Sequence, residues 1–589
     1  RLKGTLSAGG ATHVRMVWGT AADALVNTND LGTLPLGAFS SALTGLAPST
    51  TYFYAAYLVN DYGTALSATG SFTTTTAIQQ WQTVGSGLWT NPATWNAAVP
   101  PPAGVSAWVK SGHSVTLDAS TPALACVTNS GTLTFSGWDT KLTAGAVVVL
   151  GTVTHLENTD AVRADGWTPN ARVNIACGDL TLSGSGKIDV NYKGYRVGIW
   201  YYPGSGPGGG VYVSSVYDGY PVYGGGGGHG GIGGGFSESP LYNGVYGDFA
   251  APENPGSGGG GGDNPGQPLK GHGGGAVRIA ATGTVTLGGG GILANGEGNG
   301  YHMGAGSGGS VFITCRTLAG GASIQASGGP GGNAAGGGGR IAVVYDRAAQ
   351  QAAPLPTTVF TAAGGKAGTG NVEFLPFYDG DIGTLYFPDS QFLTRQTGPI
   401  THAGQWMAPD FTAWSRDALT FNNAWLRFAS GFQLDVSNTL IVQGTDNRLH
   451  KLEVPSGDVS CGAAVVNKAS LVMKADGAVA PSLVCSSFDV TNAAAFHVYA
   501  SATAAPETPG ARVEVANAMT VGAASWVHPV SNPTNGASPE FLVGKLDVLA
   551  GSGFDASFRG YRGGLLVSNG YGPGMGKGTG SGGGGGHGG

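Results

Sequence analysis

Four stretches decide the fold: ARVNIACGDLTLSGSGKIDV (171–190), GAVRIAATGTVTLGGGGILANG (275–296), GGSVFITCRTLAGGASIQASGG (308–329) and GGGRIAVVYD (337–346). In each, apolar residues take alternate positions: Val173 and Ile175, Val277 and Ile279, Val311 and Ile313, Ile341 and Val343. That is the period of a strand with one buried face. A second short strand follows (Leu180, Leu182; Val285, Leu287), and after a glycine corner a third (Ile188, Val190; Ile292, Ala294). Strand, corner, strand, corner, strand is one coil of a parallel β-solenoid, in which each coil covers the apolar edge of the one before. The predicted class is all-β: a parallel β-helix with glycine-rich inserted loops.

Glycine is concentrated where these stretches lie. Residues 201–340 hold 51 of the chain's 109 glycines. A tract such as GGGGGHGG (224–231) has no side chains to bury and by composition reads as a disordered linker. Because the tracts alternate with strand signals and carry tyrosines, they are read here as loops extruded from the solenoid. Packing backbone to backbone, they would run as extended left-handed helices.

Length and charge narrow the function classes. A chain of 589 residues exceeds one ordinary core, so several domains or a repeat array are expected. Charged residues are only 11 %, the formal net charge is −6, and there is no basic block to neutralise phosphates, which argues against nucleic acid. No apolar run reaches the roughly 18 residues of a membrane span. The opening at Arg1 and the close inside a glycine tract read as a fragment of something longer. The five cysteines (Cys126, Cys177, Cys315, Cys461, Cys485) include no C-x-x-C pair, which argues against a zinc or redox motif. Cys177 and Cys315 fall at matching places in their coils and are expected as small apolar core residues, a disulfide between stacked coils being the alternative.

Residues 1–77 form a separate unit. HVRMVWGT (13–20) reads as a strand that offers Trp18 to a core. Leu46, Pro48, Thr51, Tyr52 and Tyr54, then Asn60 and Gly63 in a turn, then Phe72-Thr73-Thr74, resemble the second half of a fibronectin type III module. The resemblance implies an immunoglobulin-like β-sandwich outside the cell, a spacer or a platform. Residues 78–120 contain Trp89, Pro92, Trp95 and Pro100 to Pro102 and are similar to the entry of bacterial surface β-helix proteins. A solenoid must close its open end: tryptophans are large enough to plug it, and prolines suit an edge that must not recruit a strand. Sugar stacking is the other reading of the same tryptophans.

The solenoid is expected over 121–375, with a tyrosine and glycine insertion at 191–275, and continues as coils of ordinary composition over 376–550. The insertion carries Trp200 and ten of the chain's 21 tyrosines. Aromatic side chains on glycine backbone suit recognition, so Trp200, Tyr201, Tyr202, Tyr217, Tyr220 and Tyr223 are the candidate ligand-binding residues. The alternative is that the tyrosines pack on one another and hold the loop. From 551 the opening pattern returns: Asp555, Gly560, Tyr561 and Arg562 stand where Asp189, Gly194, Tyr195 and Arg196 stood, so 551–589 reads as the start of a second glycine-rich repeat. Arrays serve reach or multivalency.

Together these stretches resemble the glycine-rich, autotransporter-like parallel β-helix surface proteins of environmental bacteria. The resemblance implies export, an extracellular location and a structural or adhesive role, with self-association into a fibre and surface glycans as the expected partners. Parallel β-helices also carry pectin-cleaving enzymes. Asn158-Thr159-Asp160, Gly228-His229-Gly230 and Arg278-Ile279 superficially resemble the polygalacturonase order, yet no two aspartates are neighbours to supply the second carboxylate. No catalytic residue, cofactor or metal site is assigned. His229, His272 and His587, all flanked by glycine, are expected to bond to loop backbone rather than to a metal.

Overall fold

The computed structural model describes the chain except residues 1, 45, 48–49, 75–79, 162, 164–165, 201, 214–222, 236–243, 263–268, 300–302, 333, 369–378, 478, 502–508, 564–568, 574 and 576–589. The chain divides into two compact units, one ending at Gln80 and one beginning at Trp81.

The first unit is antiparallel throughout. Asn27–Leu34, Thr12–Gly19, Thr51–Asn60 and Gly63–Leu66 form one sheet in that order, with Gly70–Thr73 also pairing Thr51–Asn60. Leu2–Leu6 and Gly37–Ser41 form a second, two-stranded sheet. Between them lie Leu2, Met16 and Ala56, packed by Leu31, Phe39, Tyr54, Leu58 and Phe72. Trp18 meets Tyr52 edge to face at 5.6 Å. The Tyr52 hydroxyl accepts a hydrogen bond from the Ala47 backbone N–H, five residues upstream, at 2.9 Å.

The second unit is built on long parallel ladders. One runs through Ser106–Val109, Leu124–Asn129, Leu142–Val149, Val173–Leu182, Ala276–Ala281, Ser310–Cys315, Arg340–Tyr345, Thr384–Tyr386 and Ala403–Met407. It continues through Trp425–Arg427, Lys451–Glu453, Ser470–Lys474, Ala495–Tyr499, Trp526–Val530 and Gly553–Phe554. Each strand pairs in parallel with the next along the ladder. A second ladder, from Gly87–Leu88 through Ser114–Leu117, Thr132–Phe135, Thr152–His155, Lys187–Asp189, Gly291–Leu293 and Ile324–Gln325 to Phe360–Thr361, keeps the same step. From Ala413–Asn422 to Pro539–Val548 a six-stranded parallel sheet forms the other wall. Inward side chains of all three merge into one apolar cluster reaching from Trp81 to Val527.

The alternation that marks the strands also fixes their register. Val173 pairs Val277, Val277 pairs Val311 and Val311 pairs Ile341, so one buried row runs through four turns. One detail differs from the sequence reading: Val173–Leu182 is a single strand rather than two, passing straight through Gly178. A Cβ there would lie 2.3 Å from the Gly145 carbonyl oxygen, so the lack of a side chain lets the strand run on without a corner.

Trp89 and Trp95 lie at the start of the ladder, next to Gly87–Leu88. Trp89 and Trp95 are both buried, their rings edge to face at 4.7 Å, and the Trp95 indole N–H donates to the Trp89 carbonyl at 2.8 Å.

The described parts of the glycine tracts form a buried bundle. Gly225 to Gly228 donate in turn to the carbonyls of Val211, Gly234, Ala305 and Gly208, so the first and fourth bonds return to the same neighbouring segment. Gly256 and Gly259 likewise donate to Gly274 and Gly271, and Gly336 and Gly339 to Gly329 and Ala326. Bonds that revisit a neighbour every third residue mark a three-residue turn, the period of an extended left-handed helix. A Cβ at Gly304 would stand 1.8 Å from the Gly225 oxygen, and one at Gly336 1.9 Å from the Gly306 oxygen. At such approaches only glycine fits.

Candidate binding cleft

On five successive strands of the long ladder, Leu426, Leu452, Leu471, Phe496 and Val527 point inward and are fully buried. Period-two alternation therefore turns their sequence neighbours outward. Register places Trp425, Lys451, Ser470, Ala495 and Trp526 in one outward row and Arg427, Glu453, Val472, His497 and His528 in a second. Lys474 and Tyr499 begin a third. Adjacent members of a row are about 4.8 Å apart, the strand spacing. Asp379 and Asp381, from the chain just before Thr384–Tyr386, border these rows and complete a cleft of about 510 Å³.

The acidic groups of the cleft are engaged. Arg427 donates to both oxygens of Asp381 at 2.9 and 2.7 Å, and through Nε to Glu453 at 2.8 Å. The Trp425 indole donates to the other Glu453 oxygen at 2.5 Å. Burial works against the Arg427 charge, but Glu453 and Asp381 more than offset it and hold the guanidinium more firmly protonated than usual. Arg448 pairs with Asp379.

The remaining cations are not so engaged. Lys451 Nζ lies over the Trp425 ring, 4.0 Å from its centroid, and Lys474 Nζ lies 5.9 Å from the Tyr499 centroid. Neither lysine has an ion pair among the described residues. Burial lowers the Lys451 pKa, opposed by Glu453, Asp379 and Asp381. His497 stacks on His528, and its buried Nδ1 has no hydrogen-bond partner among the described residues. Burial pulls its pKa down to about 3, helped by His528, Arg559 and Lys451. Chemically, the surface offers ammonium groups with no ion pair among the described residues beside carboxylates whose outer lone pairs still accept, along an axis with a regular step.

The residues singled out from sequence lie elsewhere. Trp200 is 48 % exposed in a left-handed backbone conformation (φ 56°), and Tyr202 is 71 % exposed two residues on. Tyr223 belongs to a two-residue antiparallel pair with Tyr212–Val213. Tyr201, Tyr217 and Tyr220 lie outside the described residues. Two other tyrosines of the insertion hold it from within. The Tyr195 hydroxyl donates to the Trp167 carbonyl at 2.6 Å, and Tyr246 donates to Pro255 at 2.6 Å while accepting from Ser257.

Of the polygalacturonase-like residues, Asn158 and His229 are buried. Asn158 is buried, bridging the backbones of Asn170, Ala171 and Lys193. His229 is buried in the glycine bundle with Nδ1 2.9 Å from the Gly308 carbonyl, and Arg278 pairs with Glu253. His272 accepts at Nδ1 from the Val197 N–H, while His587 lies outside the described residues. Among the described residues no group of three or more His, Cys, Asp or Glu side chains could hold a metal ion, and no helix is long and apolar enough to cross a membrane.

Sequence reasoning missed the cleft. Its signal was present as WLR, KLE, LVMK, FHVY and WVH, polar residues at a constant offset from a buried one, but 20 to 30 or so residues separate each from the next. Compared with known proteins, the chain matches no family model, no curated protein and no solved structure.

Proposed function

We propose that this chain is an extracellular structural protein: a parallel β-helix rod preceded by a fibronectin type III-like module, building a cell-surface filament, stalk or adhesin without catalysing a reaction. The observation that carries this reading is the unbroken parallel ladder over one continuous core, an arrangement that grows along a single axis. The Tyr52 hydroxyl bonded back to the Ala47 backbone supports the module assignment, since a tyrosine so placed is a hallmark of immunoglobulin-like sandwiches. Asp379, Asp381 and Glu453 held by arginines support a non-catalytic role, because a paired carboxylate is a poor general base.

Electron microscopy of the purified chain tests the proposal. A rod of roughly 70 to 100 Å is expected from about fifteen to twenty steps of about 4.8 Å, with end-to-end fibres at high concentration. A compact particle that stays monomeric at every concentration would remove it. A glycan-binding role for the insertion is the second reading, favoured by the exposure of Trp200 and Tyr202. Loss of glycan-array signal in a Tyr202→Ala chain would support it.

A further inference from the structure

On the outward face of Trp425–Arg427 through Trp526–Val530, two cations form no ion pair among the described residues. Lys451 and Lys474 stand one rung and two rows apart on adjacent strands, Lys451 opposite Ser470 and Lys474 opposite Tyr499. Arg427 and Arg448 already hold the carboxylates, so the lysines are left as donors that point into the cleft without an acid partner among the described residues. Burial removes water from Lys451, which is unfavourable unless an anion replaces it, while Lys474 stays exposed at the cleft's edge.

We propose that this cleft binds an acid-bearing polysaccharide, with Lys451 and Lys474 each taking an acid group. Two features favour a sugar chain over an acidic peptide. Asp379, Asp381 and Glu453 keep acceptor lone pairs that the several hydroxyls of each sugar satisfy, whereas a carboxylate-rich peptide offers them one backbone N–H per residue. The wall is aromatic as well as charged: Tyr499 and the stacked His497 and His528 line it, and Trp526, 42 % exposed, stands one rung beyond Ala495 in the lysine row. Ring faces beside charged donors suit sugars, which present apolar C–H faces and polar edges. The rung step repeats along the cleft, so a polymer engages it in more than one register, and multivalency raises its affinity above that of a single sugar. This site is distinct from the tyrosine insertion and does not depend on whether the chain forms filaments.

Binding of the full chain to polygalacturonate, dextran sulfate, neutral dextran and polyglutamate is measured at low and high salt. Polygalacturonate or dextran sulfate is expected to bind, more weakly at high salt, and the one that binds identifies the acid group. Lys451→Gln and Lys474→Gln are each expected to weaken binding about tenfold, the effect of losing one charged hydrogen bond. Lys545→Gln, on the opposite sheet and 70 % exposed, is expected to change nothing. Thermal unfolding of the variants separates lost binding from lost structure. The proposal is overturned if neither acidic polysaccharide binds, if the double lysine variant binds undiminished while folded, or if polyglutamate or neutral dextran binds equally well.

Discussion

His497 and His528 lie ring on ring, 4.5 Å between centroids and 14° between planes, on adjacent strands of the long ladder. Two stacked imidazoles cannot both take a proton without strong repulsion. His497 is among the histidines that the fold keeps neutral: its pKa is pulled to about 3, that of His229 to about 3, and those of His155 and His402 to about 4, burial being the first cause in each. In the unfolded chain each protonates near 6.5. Between those values the unfolded state binds more protons, so stability rises with pH there. It is complete above about pH 6.5 and is lost as pH falls toward 4 and then 3. Urea midpoints are expected to be flat from about pH 7 to 8 and to fall below 6.5, by on the order of 1.4 kcal/mol per pH unit per histidine. A midpoint constant down to pH 4 would contradict the burial of these rings.

The glycine bundle predicts a sharp contrast between two alanine substitutions. Gly304→Ala puts a Cβ 1.8 Å from a backbone oxygen that cannot swing away, whereas nothing lies within 4 Å of a Cβ at Gly398. Gly304→Ala is expected to destabilise by about 3 kcal/mol or more, and Gly398→Ala by less than about 0.5. Thermal unfolding checks both, and equal effects would mean the tracts are not packed.

Trp95 predicts a local loss. Trp95→Ala removes one half of the edge-to-face pair at the start of the ladder, a cost of about 3–5 kcal/mol. In a stacked array each turn touches only its neighbours. Hydrogen exchange is therefore expected to accelerate in Ser106–Val109 and Ser114–Leu117 and to stay slow in Ala495–Tyr499. Uniform acceleration would refute a one-dimensional stack.

Cys461 and Cys485 predict a selective oxidation. They are in register on adjacent parallel strands, at the roughly 4.8 Å spacing that a disulfide bridges, and are in thiol contact. Cys177 and Cys315 are separated by the strand that carries Ala281, and burial raises both their thiols to about 12. Mild oxidation followed by peptide mapping is expected to find a 461–485 bridge with Cys177 and Cys315 still reduced. A bridge between Cys177 and Cys315 would contradict the register.

Much of the fold was legible because it is written locally. Val173, Val277, Val311 and Ile341 announce their strands by two-residue alternation, and the same residues stack in one row. Trp89 and Trp95 were legible as bulky apolar residues, and both are buried. The clustering of glycine was equally plain, and with it the expectation of close backbone packing.

What the sequence by itself determined was the kind of contact: parallel strands with one buried face, and glycine where backbones crowd. Only the tertiary structure decided the partners. That Gly230 bonds to Gly338, that Cys461 meets Cys485 rather than Cys177 meeting Cys315, and that Asp381, Arg427 and Glu453 converge on one cleft all depend on how many residues each turn spends between strands. An inward position must be apolar and so leaves a periodic trace. An outward one is free to be anything, and becomes meaningful only when register sets it beside residues from the turns above and below.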